Sequence, residues 1–234
     1  MSDFNSLILE INKYADPKKA KNYNWFFKTG PGQYGEGDRF LGINVPTEHQ
    51  LSKKYSGLTL NEIHQLLQSE FHEKRVIGLM ILKLQYIKAD KKDKKKFYDF
   101  YLAHTDRVNN WDLVDISAPH IVGDFLLEKD RSLLYQFAKS QSLWERRIAI
   151  ISTFTFIRKN EFRDALAISE ILLSDKQDLI HKAVGWMLRE VGKKSPETLT
   201  GFLDSNFKHM PRTALRYSIE KFSPPLRAYY LKLR

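Results

Sequence analysis

Three stretches of this chain repeat one arrangement, a basic pair followed by an apolar run of helical period. Lys74-Arg75 leads into Val76-Ile77-Gly78-Leu79-Met80-Ile81-Leu82-Lys83-Leu84, Arg146-Arg147 into Ile148-Ala149-Ile150-Ile151, and His181-Lys182 into Ala183-Val184-Gly185-Trp186-Met187-Leu188. Arg212-Thr213-Ala214-Leu215-Arg216-Tyr217 is a weaker echo. Arg147 and Lys182 lie 35 residues apart, and Arg75 and Arg147 lie 72 apart, about two such steps. Degenerate self-similarity at ~35–45 residues marks stacked helical pairs. A single pair cannot bury its apolar face alone, so neighbours must stack, and the stack curves into a solenoid. The second helix of each pair is then expected to line the concave side.

Helix starts are written into the chain as well. Thr59-Leu60-Asn61-Glu62 has the form of a capping box, and Pro46 and Pro196 suit first-turn positions. No stretch alternates apolar and polar residues as a strand would, so the whole chain is expected to be helical. At 234 residues it can bury a sizeable core. The expectation is a single repeat domain over 1–234, interrupted by an irregular Gly-rich loop at 28–39. Lys88 to Lys96 is a charge run with Asp90 and Asp93 interspersed, which reads as a solvated turn and helix start.

The balance of charge narrows the partners. Lys and Arg number 38 against 28 acids, a formal net charge of +10. Such an excess favours a polyanion, with nucleic acid ahead of an anionic membrane surface. The chain has no cysteine, which excludes disulfides, thiol catalysis, Cys-ligated zinc and iron–sulfur clusters together and fits a reducing, cytoplasmic setting. Met1-Ser2-Asp3-Phe4 is not followed by the pattern of a secretory signal. No uncharged apolar stretch is long enough to span a bilayer, so no membrane partner is expected.

Several motifs imitate chemistry. Gly30, Gly32 and Gly35 spell GxGxxG, but a dinucleotide fingerprint needs a strand before it and a helix opening on it. Here Trp25-Phe26-Phe27 reads as helix, and Pro31 removes an amide that could face phosphate. The segment is expected to be a mobile surface loop or one that touches the partner. His72-Glu73 would begin HExxH, yet Val76 stands where the second His is required, so no metal and no cofactor are expected. The scattered histidines read as structural. There is no GxSxG nucleophile elbow.

Four positions resist that treatment: Trp111, Asp115, Arg147 and Trp186. Trp111 and Asp115 stand one helical turn apart in Asn109-Asn110-Trp111-Asp112-Leu113-Val114-Asp115, so one helix face presents an indole and a carboxylate together. In a chain this basic, a carboxylate facing the expected phosphates needs a purpose. Asp112, at the helix start, is expected to act there as a cap or dipole partner.

These segments resemble the DNA alkylation repair family of HEAT-like glycosylases. The resemblance rests on Trp111-Asp112-Leu113-Val114-Asp115, Trp144-Glu145-Arg146-Arg147-Ile148-Ala149-Ile150, Ala183-Val184-Gly185-Trp186-Met187-Leu188-Arg189-Glu190 and Phe40-Leu41-Gly42-Ile43-Asn44-Val45-Pro46. It implies an all-α, HEAT-like helical-repeat superhelix with a concave basic groove that holds duplex DNA containing alkylated bases. It implies excision of N3- and N7-alkylated purines without insertion of the base into a protein pocket, and action as a monomer. By similarity Asp115 is the catalytic carboxylate, assisted by Trp111 and Trp186, and Arg147 holds a phosphate. Arg189 and Lys182 are further candidate DNA contacts. Phe26 is another, standing where the family carries a Tyr and lacking its hydroxyl. The segment Thr29 to Asp38 is longer than the family's connection.

Two other readings fit the same scaffold. One is a non-catalytic binder of damaged or branched DNA, against which the retained Asp115 and both Trp residues argue. The other is a protein–protein HEAT scaffold, against which the charge argues. Helix-hairpin-helix glycosylases are disfavoured, because no Gly-rich hairpin leads into a helix carrying the Asp.

Overall fold

Capping chemistry sets where the helices begin. In the computed structural model, which describes residues 3–232, the first half of the chain forms α1 (Asp3–Lys13), α2 (Pro17–Phe26), α3 (Val45–Lys54), α4 (Leu60–Leu67), α5 (His72–Lys88), α6 (Lys94–Leu102) and α7 (Trp111–Ala118). Met1 and Ser2, where the stretch read for a secretory signal starts, lie outside the described residues. The second half forms α8 (Asp124–Leu126), α9 (Ser132–Ala138), α10 (Leu143–Arg158), α11 (Arg163–Leu172), α12 (Asp178–Lys194), α13 (Pro196–Asn206), α14 (Arg212–Ser218) and α15 (Pro224–Lys232). Thr59 and Glu62 close the expected capping box on α4. Asn44 accepts the Thr47 N–H at 3.0 Å at the head of α3, and Ser195 accepts that of Thr198 at 3.3 Å at the head of α13. Pro46 and Pro196 occupy the first turns they were expected to occupy. Past the end of α10, Asn160 adopts the left-handed conformation at φ 62° that commonly stops a helix.

The chain divides into two compact units, Met1–Ser117 and Ala118–Arg234, with the division in the last turn of α7. In the first unit α5 is the central element, packed against α3, α4 and α6. Its apolar residues surround the axis, and Val76 to Leu82 are buried without interruption. In the second unit α10 packs on α9, α11 and α12, and α12 packs on α13 and α14. The three long helices are thus the three runs that the sequence repeat singled out. Among the described residues the extended structure is one isolated bridge between Arg39 and Phe71. No described helix is long and apolar enough to cross a membrane.

Two local departures from regular helix lie on either side of the division between the units. Residues 28–39 form successive turns rather than a free loop: buried Gly35 lies so close to Phe27 that a Cβ would meet its carbonyl oxygen at 2.4 Å, and Asp38 is buried. The segment lies at the surface as expected, and its inner members Gly35 and Asp38 anchor it to the core. After α7, residues Pro119–Gly123 wind as a π-helix. Proline brings no N–H, so the carbonyl of Asp115 has no α-helical donor and the turn widens. Thr155 donates its hydroxyl to the Pro119 carbonyl at 2.6 Å.

Helix spacing in the second unit depends on Gly185. A Cβ there would meet the Tyr217 Cβ at 2.5 Å and the Ala214 carbonyl at 2.6 Å, so α12 and α14 pack backbone to backbone. Gly185→Ala is expected to destabilise the protein by about 1–3 kcal/mol through overpacking. Gly201, exposed within α13, has nothing within 4 Å of its would-be Cβ. Gly201→Ala should stabilise by about 0.5–1 kcal/mol. Urea unfolding of both variants checks the pair.

Candidate active site

The first unit holds an ion cluster that fixes α7. His72, buried at the head of α5, faces Asp38 from its Nδ1 at 2.9 Å and Asp112 from its Nε2 at 2.7 Å. Both ring nitrogens donate only if the imidazole is protonated. Burial opposes that charge, but the Asp112 charge and the hydrogen bonds to Asp112 and Asp38 outweigh it and push the pKa up to about 9. Asp38 also binds the Arg75 guanidinium and accepts from Asn110 Nδ2 at 3.1 Å. Burial would raise the Asp38 pKa; the His72 bond and charge and then the Arg75 charge hold it below the usual range. Asp112 does stand in the first turn of α7 and accepts the Leu113 N–H at 2.9 Å, but its other oxygen is committed to His72. Its expected duty as a cap is therefore subordinate to an ion pair. Glu73, one residue on from His72, accepts the N–H groups of Leu41, Gly42 and Ile43 at 2.7–3.2 Å.

Beside this cluster lies a cavity of about 750 Å³. Tyr23, Phe26, Phe27, Phe40 and Trp111 supply aromatic walls. Phe27 stacks on Trp111 with centroids 5.4 Å apart and planes 16° from parallel, and Phe26 meets Trp111 edge-on at 6.1 Å. Trp25 (75 % exposed), Phe26 (54 %) and Val45 (58 %) stand at the rim. Glu48, 4 % exposed, joins His72 and Asp112 among the residues lining the cavity. Burial pushes its pKa up to about 8; the His72 charge opposes this, and Glu73 and Asp112 add to it.

The residues expected at the site are divided between the two units. Trp111 and Asp115 lie on α7 and Phe26 ends α2, so the structure brings Phe26 and Trp111 together in the first unit. Asp115 is half-buried; burial raises the pKa of the nearby Tyr101 hydroxyl, a bond with Ser117 opposes this, and the Asp115 charge adds to the rise. In the second unit, Arg147 of α10 is 5 % exposed and donates Nη1 to the Leu179 carbonyl at 2.8 Å. That burial suits a cation that braces α10 on α12. Lys182 pairs with Asp178 at 2.8 Å, and Arg189 pairs with Glu220. Trp186 is half-buried on α12 and donates Nε1 to Glu190 at 3.2 Å. Sequence reasoning missed Asp38, Glu48, His72 and Asp112 as a group. The signals that point to it are the Gly-rich segment ending in Asp38 and the His72-Glu73 pair, both of which imitate other motifs.

Comparison with known proteins adds the family context. A family model described as DNA alkylation repair enzyme matches residues 7–222. Among solved structures, a predicted DNA alkylation repair enzyme from Enterococcus faecalis superposes with a TM-score of 0.69 at 16 % identity, covering 90 % of this chain and 97 % of that one. AlkD2 from Streptococcus mutans gives 0.56 at 19 % identity, covering 77 % and 91 %. At these identities the structures establish a shared all-helical repeat fold. No curated protein sequence matches.

The buried groups make stability pH-dependent. The folded state holds a proton on Glu48 between pH 4.5 and about 8, and one on His72 between 6.5 and about 9, where the unfolded chain releases them. Through these two groups the folded protein binds more protons, so their contribution to stability falls as pH rises. The full His72 contribution is present below 6.5 and gone above about 9. Between 4.5 and 6.5 Glu48 supplies a downward slope of about 1.4 kcal/mol per pH unit or less, opposed towards 6.5 by His49, whose pKa burial lowers. Glu48→Gln should remove the Glu48 part of that slope, reduce the fall between 6.5 and about 8, and leave the His72 fall up to about 9, as read from urea midpoints across pH.

Proposed function

Since the chain belongs to the family of DNA alkylation repair enzymes, we propose that it is a monofunctional DNA glycosylase excising N3- and N7-alkylated purines from duplex DNA. The observation that carries the reading is α7, which presents Trp111 and half-buried Asp115 one turn apart and is held in place by the Asp112–His72 pair. An alkylated purine is already cationic, so it can depart without a general acid, and a second catalytic carboxylate is not needed. As the glycosidic bond lengthens, positive charge grows on the deoxyribose. Asp115 stabilises that oxocarbenium-like centre and orients the attacking water. Trp111 and Trp186 offer ring faces whose quadrupoles favour growing positive charge. The bond from Trp186 Nε1 to Glu190 restrains its ring. Arg147, braced by the Leu179 carbonyl, supplies positive charge for the DNA backbone together with Lys182 and Arg189. Phe26, exposed beside Trp111, adds an apolar contact.

The test is a duplex carrying a single 7-methylguanine, incubated with protein and then cleaved with alkali at abasic sites. Asp115→Asn keeps the shape and removes the charge. Its excision rate should fall by about 10²–10³, the scale for losing one preorganised electrostatic group. DNA affinity should hold or rise, because a charge repelling phosphate is gone. Asp112→Asn should instead cost about 1–3 kcal/mol of stability through His72 while folded protein keeps excising. If the unchanged protein binds the duplex and releases no base, a non-catalytic binder of damaged DNA replaces this reading.

A further inference from the structure

The Glu48 carboxyl is the least accounted-for group in the first unit. It is 4 % exposed, lines the aromatic cavity, and among the described residues makes no hydrogen bond or ion pair. Burying a carboxyl without a partner is costly, and buried polar groups in folded proteins almost always have one. Its neighbours do not supply one. The charges that act on it are His72 and Glu73 from α5 and Asp112 from α7, and its own charge acts on Tyr23 from α2. His72 is already committed to Asp38 and Asp112. Among the residues that line the cavity, two further carboxylates (Glu73, Asp112) face one cation (His72), so the lining of this cavity in a chain of charge +10 is itself negative. The walls are ring faces, which attract cations and stack on flat rings.

We propose that the cavity lined by Tyr23, Phe27, Trp111 and Glu48 is a binding site for a planar, positively charged nitrogen heteroaromatic, with Glu48 as its counter-ion. The rings supply a stacking surface and exclude water, and Glu48 supplies an acceptor for which the cavity walls offer no donor. As the cation enters, the Glu48 carboxyl gives its proton to solvent and the carboxylate pairs with the ring, so charge in the cavity is conserved. The exposed rim residues Trp25, Phe26 and Val45 form the entrance. An N-alkylated purine is one member of this ligand class, but the inference does not require the chain to excise a base. Only the choice of 7-methylguanosine as a probe leans on that reading.

Isothermal titration of the full chain with matched pairs tests the site: 1-methylnicotinamide against nicotinamide, and 7-methylguanosine against guanosine. Each cation should bind at least about tenfold more tightly than its uncharged counterpart, the worth of a charged hydrogen bond. Titration near neutral pH in buffers of different ionisation enthalpy should show protons released on cation binding. Glu48→Gln should abolish both the discrimination and the proton release while circular dichroism stays unchanged. Val45→Trp, at the exposed rim, should block every ligand. Equal binding of charged and uncharged rings, binding with no proton release, no saturable binding at all, or indifference to Glu48→Gln would each overturn the proposal. A protein that binds the cations and excises nothing keeps this inference and loses the glycosylase reading.

Discussion

A protonated histidine clamped between two carboxylates is the interaction on which the first unit depends. His72 sits on the central helix, Asp38 comes from the turns after α2, and Asp112 opens α7. Burying these charges is unfavourable unless each has its partner in place, and removing one partner leaves the others exposed to the full desolvation cost. The cluster therefore acts less as a source of net stability than as a registration device. The turns and α7 must both be in place for every member to be satisfied. Trp111 and Asp115 inherit their positions from that placement, since both ride on the helix that Asp112 ties down.

The helices were legible from sequence because they answer to local rules. Thr59, Asn44, Pro46 and Pro196 work within a few residues of their own positions, and the runs after Arg75, Arg147 and Lys182 declare their burial by composition. The pairing of Trp111 with Asp115 was legible for the same reason, being set by helical pitch. What stayed hidden is long-range. Asp38 and His72 lie 34 residues apart, and His72 and Asp112 lie 40 apart, with no periodicity connecting them. Local grammar even misdirected: the glycines suggested phosphate and His72-Glu73 suggested zinc, while the structural purpose of both segments is to meet each other. The burial of Arg147 was hidden too, because a cation at a helix start looks the same in sequence whether it faces solvent or a carbonyl such as that of Leu179.

Charge is distributed against the overall composition. The chain is strongly basic, yet the first unit concentrates acids around one histidine and one arginine. Two carboxyl environments result within a short stretch of structure. Asp115 is half-buried, whereas Glu48 is withdrawn among rings and prefers its proton. Groups of one chemical type are thereby set to different tasks by burial and neighbours rather than by identity.

The anchoring of the Gly-rich turns has a practical side. Their inner members, Gly35 and Asp38, are locked against Phe27 and His72, whereas the outer turn at Pro31 is exposed. The chain contains no cysteine, so a thiol introduced as Pro31→Cys would be unique in the molecule. A fluorophore or spin label carried there would sit on a segment whose inner end, Asp38, is tied into a buried salt bridge. It would mark the exposed end of that segment without any reagent touching the cavity.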